Sequence, residues 1–101
     1  MAATRYPWRS REYCRIPLTT APRDVTTLPV EISIVPHPRH AAEDDWRPAV
    51  WLPDTDTPTA GVLIGPGTDF DLDVGVYVAR LRITAGDERP VVEAAALVEI
   101  R

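Results

Sequence analysis

A single cysteine, Cys14, in 101 residues excludes an internal disulfide. Packing or partners must therefore hold the fold, and an unpaired thiol suits synthesis in a reducing cytoplasm. Long apolar runs are missing too. The longest, Ala94 to Val98, is far short of the roughly 20 residues a membrane-spanning helix needs. The opening stretch MAATRYPWRS has no apolar h-region of the secretory kind. Positive charge is in deficit: 11 Lys and Arg stand against 15 Asp and Glu, a net charge of -4. A general nucleic-acid binder is normally basic, so that class is disfavoured. Glycine is scarce, with 5 residues against 11 prolines. The prolines are spread along the whole chain, where they punctuate it and disfavour long helices.

What remains is an ordinary globular composition, 45% hydrophobic and 26% charged, in a length that fits one domain. Alternation is the dominant pattern. Cys14, Ile16 and Leu18 form an apolar row over residues 12–19, and Val30, Ile32 and Ile34 form another over 28–36, bracketed by Pro29 and Pro36. Both read as strands with one face buried. Shorter strands are predicted over 47–53, carrying Trp51, and over 60–65. A strong strand is predicted over 76–84, with Tyr77, Ala79, Leu81 and Ile83 on one face and Arg80 and Arg82 on the other. Gly86-Asp87 marks a hairpin turn. The chain closes with the row Val92, Ala94, Ala96, Val98, Ile100, whose period of two favours a strand over the helix that its alanines alone would favour. Six or seven short strands with turn signals between them are the signature of a β-sandwich or barrel.

The stretch FDLDVGVY, residues 70–77, sharpens this to an immunoglobulin-like sandwich. In such folds a tyrosine near the start of a late strand bonds its hydroxyl back to the corner before it. Tyr77 is placed for that role. Gly75 is expected to let the chain turn, Leu72 to cap the bottom of the core, and Trp51 to fill its middle. The run PVEISIVP, the pair Asp45-Trp46, Gly65-Pro66-Gly67, and Gly75-Val76-Tyr77 resemble small immunoglobulin-like structural proteins of tailed bacteriophages infecting actinobacteria. They are similar also to the N-terminal domains of phage baseplate proteins. The resemblance implies a virion component and carries no catalytic residues.

The expected organisation is an N-terminal extended arm over 1–11 and a sandwich over 12–101. From Met1 to Arg15 the arginines at 5, 9, 11 and 15 against Glu12 give a net of +3 (4 − 1). Arg5, Tyr6, Trp8 and Arg9 are residue types enriched at interface hot spots, so the arm is read as the contact with neighbours. The implied partners are other virion proteins (capsid, connector or tail subunits) and further copies of the chain, with no nucleic acid and no membrane. The implied location is the virion, after synthesis in the host cytoplasm.

Chemistry-bearing residues receive structural readings. Asp69, Asp71 and Asp73 lack the spacing of a calcium loop and read as a solvated turn. His37 and His40 have no partner at metal spacing. Cys14 reads as a small core residue. No catalytic set, metal site or cofactor is expected. Trp46, beside Glu43, Asp44 and Asp45, is the one candidate ligand contact, as a platform for a glycan in an alternative receptor-binding reading.

Overall fold

The computed structural model describes residues 4–18, 23–53, 56–83 and 94–101. The strands are β1 (Thr4–Tyr6), β2 (Glu12–Pro17), β3 (Val30–Pro36), β4 (Trp46–Trp51), β5 (Thr59–Ile64), β6 (Gly75–Ile83) and β7 (Ala94–Ile100), with short 3-10 turns at Arg23–Thr27 and Glu43–Asp45. The fold is all-β. The first of those turns lies between the two strands predicted over 12–19 and 28–36. The Gly86-Asp87 hairpin tip and Val92 lie outside the described residues.

Hydrogen-bonded neighbours run in the order β1-β7-β6-β3-β4-β5-β2. Every pairing is antiparallel except β1 with β7, which is parallel. β4 joins the two halves. Residues 46–49 pair with β3 and residues 50–51 pair with β5. One large sheet therefore bends over a second one made of β2, β5 and the end of β4. With β2, β3, β5, β6 and β7 taken as B, C, E, F and G, this is the immunoglobulin-type order. The far ends of the order approach each other, where the Arg15 amide donates to the Tyr6 hydroxyl at 3.4 Å.

Alternation places the core as the sequence predicts. Cys14, Ile16, Leu18, Val30, Ile32, Ile34, Leu81, Ile83, Val98 and Ile100 are buried in one cluster. β3 is buried on both faces, because Ser33 and Val35 are covered as well. It lies between β6 and β4, and the register sets Ser33 between Arg80 and Trp46. Trp51 is only partly buried and packs at the margin of the cluster, its indole N–H donating to the Leu28 carbonyl at 2.8 Å. The middle of the core is filled instead by branched aliphatics such as Ile16, Ile32 and Leu81. Phe70 joins them from the β5–β6 connection.

Candidate functional site

The N-terminal arm is held by the chain itself. Thr4, Arg5 and Tyr6 pair in parallel with Val98, Glu99 and Ile100. The Trp8 amide donates to the Arg101 carbonyl at 2.6 Å, and the Arg101 amide donates to the Tyr6 carbonyl at 3.2 Å. Glu99 places one carboxylate oxygen 3.2 Å from Arg5 and the other 2.9 Å from Arg101. Such exposed pairs contribute little energy, but they fix the end of the strand. Tyr6 turns inward onto the core margin. Burial raises its pKa, and the neighbouring Cys14 raises it further.

Of the four expected contact residues, Arg5 and Tyr6 are thus committed to the domain. Trp8 and Arg9 are not. Trp8 is 48% exposed, and the Arg9 guanidinium stacks 5.5 Å from its ring centroid. Arg9 takes φ 69°, a left-handed conformation that costs a non-glycine residue about 1–2 kcal/mol. The strain turns the chain from β1 toward β2 and presents the Trp8–Arg9 pair outward.

The corner before β6 is built around two different groups. The Tyr77 hydroxyl donates to the Asp73 carbonyl at 2.8 Å, closing the tyrosine corner. Burial raises the Tyr77 pKa, and Asp73 adds to the effect. Tyr77 stands two residues before Ala79, on the strand where paired sandwiches place their second cysteine; Cys14 is on the strand that carries the first. Phe70 and Leu72 point to the core while Asp69, Asp71 and Asp73 face solvent. The turning glycine is not Gly75. A Cβ there would sit 3.6 Å from the Tyr77 ring, an ordinary contact, and its φ is not positive. Gly65 has φ 112°, and a Cβ on it would collide with the carbonyl oxygen of Ser10. Gly67, at φ 79°, completes the turn. The close approach is between the arm's exit and the β5–β6 corner, so it depends on two segments far apart in sequence.

The outer face of the large sheet holds a cluster that sequence reading missed. Arg82 donates to Glu31 at 2.9 Å and reaches both carboxylate oxygens of Glu43, at 3.1 and 3.2 Å. Its guanidinium lies 4.4 Å from the centroid of the Trp46 ring. Burial pulls the Arg82 pKa down, and the two carboxylates outweigh it, so the net shift is upward. The Trp46 face assigned to a sugar ring is taken by this cation. The signal available in sequence was the lone acid Glu31 on the outer row of β3, but only the register shows that it faces Arg82. The loop before Trp46 is braced by Asp45, whose carboxylate accepts from the Ala42 amide at 2.7 Å.

Cys14 is buried, and burial pushes its thiol up to about 11, against a hydrogen bond with Tyr6 that works the other way. A thiol this protonated is a poor nucleophile. His37 and His40 are exposed. Among the described residues no group of three or more His, Cys, Asp or Glu is arranged to hold a metal ion, and no helix is long and apolar enough to cross a membrane. Compared with known proteins, the chain matches no family model, no curated protein and no solved structure.

Proposed function

We propose that the chain is a non-enzymatic structural component of a tailed-bacteriophage particle, present in many copies on the capsid, at the head-to-tail junction or on the tail, where it braces its neighbours. The resemblance of the Asp45-Trp46, Gly65-Pro66-Gly67 and Gly75-Val76-Tyr77 positions motivates the particle. The observation that carries the assembly role is the Trp8–Arg9 pair. It is an aromatic–guanidinium stack presented by a strained turn and tied by backbone bonds to the C-terminal strand. Trp and Arg are the residues most enriched where truncation costs binding energy, and a contact group held in place beforehand loses little entropy on docking.

The sandwich supplies rigidity, and Arg5, Tyr6 and Glu99 anchor the segment rather than contact a partner. Quantitative mass spectrometry of purified particles from the phage encoding this chain tests the reading. Many copies per particle are expected. A chain made during infection but absent from washed particles overturns it.

A further inference from the structure

The open edge of β2 is the strongest feature left unused. In an immunoglobulin-type sandwich the strand before B pairs with B in the second sheet. Here the first strand pairs with β7 instead, so among the described residues no strand is paired with β2 on the side away from β5. The Arg15 amide shows which main-chain groups face that side, because it points to the Tyr6 hydroxyl and away from β5. By alternation the main-chain groups of Tyr13 and Pro17 face the same way, and Pro17 offers no donor. Tyr13, Leu63 and Val50, between 40% and 50% exposed, form an apolar strip on the outer face beside this edge. Arg11 and Asp69 lie at its rim.

We propose that β2 pairs antiparallel with β2 of a second copy about a twofold axis at Cys14, giving a dimer whose small sheets join into one. This surface is separate from the Trp8–Arg9 pair, and the dimer does not require that the chain be a particle component. The register follows from charge. With Cys14 opposite Cys14, Tyr13 of each copy faces Arg15 of the other in a bonded pair, and an arginine packs against a ring. Sliding two residues in the pair sum sets either Arg11 against Arg15 or Arg15 against Arg15, like charges directly opposed. The exposed strip of Tyr13, Leu63 and Val50 then runs on across the axis. The long 3.4 Å bond to Tyr6 caps the Arg15 amide in the single chain and must open, so Tyr6 acts as a brake on pairing.

Sedimentation equilibrium of the full chain over roughly 10 μM to 1 mM, where interfaces of small area dissociate, should show a species of twice 11.2 kDa. Tyr6→Phe removes the brake in both copies and should tighten the dimer by roughly tenfold or more, the size of two weak hydrogen bonds. Arg15→Pro deletes the edge donor without touching the β5 ladder and should leave a monomer. Tyr13→Arg should weaken pairing by placing like charges together, while Tyr13→Glu, facing Arg15, should keep it. Thermal melts confirm that each variant is folded. A wild-type chain that is monomeric throughout the range overturns the proposal. So does a dimer that Tyr13→Arg and Arg15→Pro leave unchanged, or one that Tyr13→Arg and Tyr13→Glu weaken equally, as a non-specific apolar contact would.

Discussion

Gly65 and Tyr77 fix the corner by different means, and single substitutions separate them. Gly65→Ala forces a Cβ onto the Ser10 carbonyl at a φ of 112°. A loss of about 3 kcal/mol or more is expected, from strain and collision together. Gly75→Ala meets only a normal contact with Tyr77 and should change stability by less than about 1 kcal/mol. Urea denaturation of both variants checks the contrast, and equal losses would return the turning role to Gly75. Tyr77→Phe keeps the ring and removes the bond to Asp73, at a cost of about 1 kcal/mol. Cys14 makes stability depend on pH. Its folded pKa is raised from 9.0 to about 11, so its contribution is complete below pH 9 and is lost as pH rises through 11. That loss is on the order of 2–3 kcal/mol, and Tyr6, also shifted upward, acts in the same direction. Cys14→Ala should flatten the decline between those pH values in urea titrations. An unchanged slope would assign the alkaline loss elsewhere.

β1 is the element whose role differs most from its sequence. Thr-Arg-Tyr has no alternation to read, and its partner is the last strand of the chain. Nothing local in sequence signals a parallel pairing across the length of the molecule. The longer strands were legible because the apolar rows they turn to the core recur with a period of two; β2, β3, β6 and β7 all show it, although β3 is covered on its other face as well. Removing residues 1–10 therefore strips the edge of β7 and takes Tyr6 off the core margin. Burying an aromatic side chain contributes about 2–3 kcal/mol, so calorimetry of the truncated chain should show a melting temperature lower by about 10 °C. An unchanged melt would mean that β1 is only loosely laid on the sheet. The Arg82 cluster was hidden for a related reason. Each strand shows which side chains share a face, but only the register between strands pairs Glu31 with Arg82.

Across the whole molecule, the bend of β4 from one sheet to the other explains why a chain this short closes around one core. It also leaves, among the described residues, a second sheet of β2, β5 and the end of β4, in which β2 has no hydrogen-bonded neighbour beyond β5. The all-β class was legible from alternation and turn spacing, and the corner from the Tyr77 position. Trp51, on the strand after β3, is expected from sequence to fill the core's middle, yet it packs only at the margin. β3 has Ile32, fully buried, and the space is filled without an aromatic ring. The central claim is that the docked arm leaves Trp8 and Arg9 as the assembly contact. The direct measurement is the amount of the Trp8→Ala/Arg9→Ala chain in purified particles, set beside its melting temperature. Surface truncations away from the core change stability by about 0.5 kcal/mol at most, whereas losing one hot spot costs 2 kcal/mol or more, about thirtyfold in affinity. A chain that melts like the wild type but is depleted from particles by about that factor agrees with the account, and one that melts normally and is incorporated at wild-type levels contradicts it.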